Sequence, residues 1–486
     1  MGSGAAAVDA LSGDRMSQVT RLATGSEAPP LAGLLDALGL HRRELRAWAM
    51  YDWANSAMVL VIMTAVFPIY YGGVAGEGRG NAAEVWYPLS KSLATAIVAV
   101  FSPVLGSIAD FTATRKRFLA TCVGVGAAAV AGMFWIGPGE IWLASMLFVV
   151  ASGAVSLSFV FYESLLPHIA AEDEIDRVST AGYAVGYFGS GLLLIVILLT
   201  IQKPEWFGFP TGGGLGPAQN PLPWRAAFLA VAIWWALFSV PLFRTIGEPP
   251  RSLEGDERVR QAPVRAAMAR LGETFHEIRR FRQTFVLLLA FLLYNDGINT
   301  IITMAAIYGS ESLGIAHFHL ILAILVVQFV GVPFAFLFGI LAARIGAKRS
   351  ILVGLGAYCG ITVFGYFMTS AAHFYVLAGA VGVVQGGTQA LSRSLFARMV
   401  PRHKSSEFFG FFSVFSKFAG IFGPVVWVAF VQLSGEPSGG ILSVIMFFIA
   451  GGALLSVVNV PEGEKAARAA EAMTARPVDA EMEERK

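Results

Sequence analysis

The sequence predicts an all-α membrane protein with twelve transmembrane helices in two parallel repeats of six. Three observations lead there. Charged residues make up only 14% of the 486 residues and hydrophobic ones 56%, whereas a soluble domain carries about 25% charged residues. Apolar runs recur along the chain at the length that crosses a bilayer core, roughly 20 helical residues. The second half of the chain also repeats features of the first at a nearly constant offset.

The first run, 47–71, opens with "AWAMYDWANSAM" and so holds Asp52 and Asn55 inside an otherwise apolar helix. Runs 86–109, 117–137, 141–164, 178–201 and 224–246 follow. The stretch 247–282 carries eight arginines, and its "VRAAMARLGETFHEIRRF" has the spacing of a helix lying on the membrane surface. Beyond it come 283–308, 317–342, 349–370, 372–397, 408–433 and 438–460. The expected organisation is a disordered N-terminal tail 1–44, a six-helix bundle 45–246, a linker 247–282, a second bundle 283–460 and a disordered tail 461–486. The start lacks the charged and apolar regions of a signal peptide. Arginine and lysine concentrate before the first run and in the loops after the second, eighth and tenth, which predicts cytoplasmic termini in the cell (inner) membrane. The acidic loop "AAEDEIDR" after the fourth run breaks that trend.

The 53 glycines fit close helix approach in lipid. The strings "GVGAAAVAG" and "GLGAYCG" lie inside apolar runs, not between a strand and a helix, so they are not phosphate loops. Cys122 and Cys359 read as packing residues. No metal spacing or nucleophile motif occurs in the sequence. No enzyme activity, cofactor, metal or nucleic-acid partner is expected.

The repeat supports the division into halves. "GSIADFTATRKR" from Gly106 matches "GILAARIGAKRS" from Gly339 at an offset of 233. Pro167, Gly186 and Gly189 match Pro401, Gly420 and Gly423 at 234. Asp52, Asn55 and Ser56 match Asp296, Asn299 and Thr300 at 244, the excess fitting a longer loop between the first two runs. An even number of spans per half keeps both halves in one orientation.

This pattern resembles the major facilitator superfamily, whose signature loops look like the two "G…R-K" copies. The first copy keeps Asp110 and its basic run but lacks the usual turn glycine; the second keeps Gly346 but has Ala343 in place of the acid. "AMYDWANSA" (49–57), "YNDGINTIITMAAIYG" (294–309), "GGTQALSRSLFARMVP" (386–401) and "EFFGFFSVFSKFAGIFGP" (407–424) resemble, more narrowly, the UMF1 family of bacterial carriers. That family is related to the autophagy-linked vacuolar amino-acid effluxers of fungi. The resemblance implies a twelve-helix secondary carrier that exports amino acids or similar small polar metabolites by alternating access. It also implies that helices 1, 4, 7 and 10 line a central cavity.

The intramembrane polar residues fall largely on those helices. An acid at mid-membrane costs about 2.5–3.5 kcal/mol on insertion scales and so marks function or a partner. Asp296, near the midplane of run seven, is expected to bind a proton or a substrate ammonium, or else to pin two helices. Asp52 lies shallower and could reach water or pair with Arg46 or Lys417. Asn55 and Asn299, a turn later, could bond a solute or each other. Gln385, Gln389 and Arg393 recur at i, i+4 and i+8, while their first-half counterparts Ala151, Val155 and Phe159 are apolar, which favours function over scaffold. Arg393 suits a carboxylate, with snorkelling to the interface as its rival. Lys417 calls for an acid partner: Asp110 by resemblance to the superfamily's gating salt bridges, or Asp52 or Asp296. Asp110, Arg115, Lys417 and Glu163 form the expected gate. Proton coupling through Asp296 is expected. The alternative cargo is an amphipathic drug or lipid, suggested by 37 phenylalanines.

Overall fold

The structure is a computed structural model that describes residues 33, 35–36, 38–210, 212–251, 280–311, 313–315, 317–435 and 437–474. Most of the expected N-terminal tail, the surface helix of the linker and the last twelve residues lie outside them. Among the described residues, twelve helices are long and apolar enough to cross a membrane: α1 (Arg43–Ala75), α2 (Ala82–Thr112), α3 (Arg115–Trp135), α4 (Ile141–Ile169), α5 (Ile175–Gln202), α6 (Pro221–Thr245), α7 (Arg282–Ser310), α8 (His319–Ile345), α9 (Ala347–Tyr366), α10 (Ala371–Arg398), α11 (Arg402–Ser434) and α12 (Gly439–Val457). Each matches one expected run.

Several helices are locally irregular. In α1 the turns widen to a π form over Val59–Ala65 and Tyr71–Ala75, with Pro68 between them removing one backbone donor. Helix α11 is broken into Ser405–Phe418 and Phe422–Ser434. The repeat explains the break. Gly420 and Pro424 stand where α5 has Gly186 and Ser190. Ser190 sits in a continuous helix, whereas Pro424 has no N–H to offer the carbonyl of Gly420 and its ring clashes there. Gly420 then takes φ +101°, a backbone region open to glycine.

The two halves meet where α2 packs on α11 and α5 packs on α8, with further contact between α4 and α11 and between α5 and α10. Small residues set this distance. A Cβ on Gly106 would lie 2.2 Å from the carbonyl oxygen of Ser406. Ser102 donates to the carbonyl of Gly410 at 3.0 Å on the same seam. Both contacts lie toward the end of the bundle that carries the arginine-rich loops, called the basic end below.

The C-terminal segment departs from expectation. It is not a disordered tail as far as Thr474: Val460–Thr474 forms a helix, α13. Gly463, Ala467 and Ala470 are buried along one face of it. Its charge-rich composition resembles a solvated tail, and only the small residues at helical spacing mark the docked side. Lys348 fixes the approach to α13 by donating to the carbonyls of Ser456 and Val458 at 2.7 and 2.8 Å. Burial pushes the Glu464 carboxyl above its ordinary value, against the pull of Arg398.

Candidate functional site

Arg393 is the centre of the polar axis. Its side chain is 1% exposed, so it does not snorkel. Its Nη2 donates to Asp52 Oδ2 at 3.1 Å and to the carbonyl of Ser179 at 2.9 Å, and its Nε donates to Ser179 Oγ at 3.0 Å. Trp48 and Tyr183 each lie 4.6 Å from the guanidinium carbon, and Tyr162 lies 5.8 Å away. Trp48 and Tyr162 stack at 4.6 Å, and each donates to the other's backbone carbonyl. Asp52 therefore pairs with neither Arg46 nor Lys417; Arg46 donates to the carbonyls of Leu40 and His41 instead. The pair joins α1 and α5 to α10 and so bridges the two halves. Arg393 carries the stripe's ion pair across the seam, while Gln385 and Gln389 are half-buried along the same helix, with Gln385 beside Tyr187 of α5.

A second junction lies nearer the basic end. Asp110 accepts from Arg115 Nε at 2.8 Å, from Ser406 N at 3.2 Å and from Glu407 N at 2.9 Å. Its carboxylate thus caps the first segment of α11 from the opposite half, where a negative charge is favourable. Arg115 also donates to Ser406 Oγ at 3.1 Å. Asp110 thus pairs with Arg115 and not with Lys417, for which it was a candidate partner. Lys116 holds the end of α6 through the carbonyls of Phe243 and Ile246, much as Lys348 holds the end of α12.

Asp296 does a third job. Its side chain is fully buried, and it accepts from Gly420 N at 2.7 Å, Phe422 N at 3.2 Å and Gly423 N at 3.1 Å. These are the amides freed by the break in α11, so Asp296 caps the second segment from α7 in the same half. Asn299 donates to the carbonyl of Ala419 at 3.4 Å on the other side of the break. Asn55 and Asn299 do not bond each other: Asn55 Oδ1 accepts from Ser56 at 3.4 Å, and its Nδ2 is buried without a partner. The duplicated motif has diverged, with one copy facing the opposite half and the other clasping a neighbour.

Glu163 and Lys417 remain. Glu163 lies on α4 and Lys417 on the first segment of α11. Glu163 is buried and Lys417 half-buried. Among the described residues no ion pair within 4 Å engages Lys417, and its expected acid partners are all otherwise held.

Several members of this site escape a sequence reading. Ser179, Tyr162, Tyr183 and Ser406 carry no charge and look like ordinary helix residues. Trp48 had a usable signal, since it lies one turn before Asp52 on the same face.

Comparison with known proteins agrees with this architecture. A family profile described as "Vacuole effluxer Atg22 like" matches residues 79–468. The uncharacterized MFS-type transporter YxiO of Bacillus subtilis is 36% identical over 421 residues, covering 86% of this chain and 95% of that protein. Autophagy-related protein 22-2 of Emericella nidulans is 25% identical over 317 residues, covering 60% of this chain and 52% of the fungal protein, about half its length. Among solved structures, the proton:xylose symporter XylE superposes with a TM-score of 0.61 at 12% identity, covering 90% of this chain and 99% of that one. A bacterial homologue of the iron transporter ferroportin in an outward-facing state gives 0.59 at 15% identity, covering 85% and 98%. At such identities the structures speak for the fold alone. The chain belongs to the Atg22-like effluxer family and is a multi-pass transporter of the major facilitator superfamily.

Proposed function

We propose that this transporter exports amino acids or similar small polar metabolites across the cell membrane, by alternating access coupled to protons. The observation that carries the reading is the buried Asp52–Arg393 pair, 3.1 Å apart across the two halves. Rocking of one half on the other must separate such a contact, and a proton on Asp52 would release it. Arginine-rich loops favour the cytoplasm for the basic end and both termini, so the access path closed by this pair is the cytoplasmic one. Glu163 and Lys417 offer one charge of each sign on the packed helices α4 and α11, which suits a zwitterion: the ammonium toward Glu163, the carboxylate toward Lys417. Asp296 is assigned to holding α11, since three amides already use its oxygens.

The test is efflux from proteoliposomes loaded with mixed amino acids, with and without an imposed pH gradient. Selective loss of one amino-acid class that follows the gradient, and that loses its gradient dependence in Asp52→Asn, is the expected result. A folded protein that moves no amino acid overturns it. One feature favours a second reading. An apolar groove of about 550 Å³ runs along the α5–α8 seam, lined by Ile195, Leu198, Leu322, Leu325 and Phe329. It would suit an amphipathic drug or lipid, and efflux of a fluorescent amphiphile from the same vesicles would then replace amino-acid efflux.

A further inference from the structure

The acidic loop after α4 runs against the charge distribution of its neighbours, and transport chemistry leaves it without a task. The structure shows what its acids touch. Glu174 is held within the first half by Arg42 and by its own loop, where it accepts from Ala171 N at 2.8 Å. Two of the other three acids, Glu172 and Asp176, look across to the second half. Glu172 pairs with Arg468 of α13 at 2.8 Å. Asp176 pairs with Arg398 at the end of α10 at 3.4 Å and accepts from Ser394 at 2.6 Å.

Helix α13 is anchored to the second half at several points. Glu462 accepts from Gln283 at 2.9 Å, Glu464 pairs with Arg398 at 3.5 Å, and Glu471 accepts from the backbone of Arg402 at 2.7 Å. Glu471 also steadies Arg468 at 2.6 Å, one turn away on α13. The helix is therefore part of the second half, and among the described residues its direct ion pair to the first half is Arg468–Glu172.

We propose that α13 is an electrostatic latch across the basic end: Arg468 on Glu172, backed by Arg398 on Asp176, holds the two halves together at that mouth. The latch differs in kind from the buried Asp52–Arg393 pair. Glu172 is 62% exposed, so salt screens its pair with Arg468, while Asp52–Arg393 is shielded. The basic-end closure accordingly has a salt-sensitive outer part and a salt-resistant inner part.

The experiment uses the full-length protein with Cys122 and Cys359 replaced by alanine and spin labels at Ala171→Cys and Ala343→Cys, exposed positions on opposite halves at the basic end. The distance distribution between the labels is read in lipid nanodiscs. Arg468→Glu places like charges together and is expected to raise the long-distance population roughly two- to fivefold, the range for an exposed ion pair. In a Glu471→Gln background, which removes the like charge one turn away on α13, the swapped pair Glu172→Arg with Arg468→Glu is expected to return it to the value of that background. High salt is expected to move the unsubstituted protein in the direction of Arg468→Glu. An unchanged distribution in Arg468→Glu overturns the latch. A swapped pair that fails to restore the distribution overturns it too, since the effect would then arise from the packing of α13 itself. None of these outcomes depends on the identity of the substrate.

Discussion

Asp52 and Asp296 stand at matching positions of the two repeats, and a single difference in their neighbours separates their roles. Beside Asp52, the backbone of α5 spends its amides within a continuous helix, so the carboxylate is left for Arg393. Beside Asp296, the amides of Gly420, Phe422 and Gly423 are unspent, and the carboxylate takes all three. Removing that acceptor leaves the buried amide of Gly423 unsatisfied, at about 1–3 kcal/mol, and the part-buried amides of Gly420 and Phe422 dependent on water. Asp296→Ala is therefore expected to lower thermal stability strongly. Asp296→Asn keeps one acceptor oxygen and is expected to fall between the two. Thermal unfolding in one detergent ranks the three proteins. In the efflux assay Asp296→Asn is expected to retain its response to a pH gradient; loss of that response in a well-folded Asn variant would return Asp296 to the proton path.

At the scale of the element, α11 shows how two residues turn a continuous helix into a jointed one. Gly420→Ala alone forces a side chain into a strained backbone region at φ +101°, a cost of about 1–3 kcal/mol. Pro424→Ser restores the residue type of α5 and the missing donor. The double variant Gly420→Ala with Pro424→Ser is expected to let α11 run straight, withdrawing the amides from Asp296. In that background Asp296→Ala should cost clearly less than in the natural chain, and a cycle of unfolding measurements reads the coupling. Equal costs in both backgrounds would mean that the joint is held by packing rather than by its sequence. The twelve spans were legible from apolar length, whereas 408–433 read as one run and the joint went unread, although the aligned repeats hold its signal as Gly–Pro against Gly–Ser. The partners were not legible. Hydrophobic period fixes which face a residue occupies, but Asp52 and Arg393 are 341 residues apart, and no local pattern chooses Arg393 over Arg46. Helix α13 was hidden for a different reason: its composition is that of a solvated tail, and docking depends on Gly463, Ala467 and Ala470, which carry little hydropathy signal.

At the scale of the whole molecule, the polar contacts between the halves follow an order of depth. The latch of α13 lies outermost, Asp110 on the amides of α11 lies next, and Asp52–Arg393 lies deepest. The deepest contact is the one whose loss matters most. Taking away one partner of a buried ion pair leaves the other charge unpaired and costs about 3–5 kcal/mol. Arg393 would keep Ser179 and its aromatic neighbours, which places the effect toward the lower figure. That cost falls on the state closed at the basic end, because only there do α1 and α10 meet through this pair. Since 1.4 kcal/mol is a factor of about ten, Asp52→Asn is expected to move the population of the basic-end-open state by roughly a hundredfold. The spin-label pair at Ala171 and Ala343 reads that shift directly. A protein that is almost wholly closed there should become mixed or mainly open, and high salt should add little to it. If Asp52→Asn keeps the closed distribution, the inner pair only fills space, and closure rests on Asp110 and the latch. The Asp110→Asn variant, read with the same labels, would then have to open the mouth.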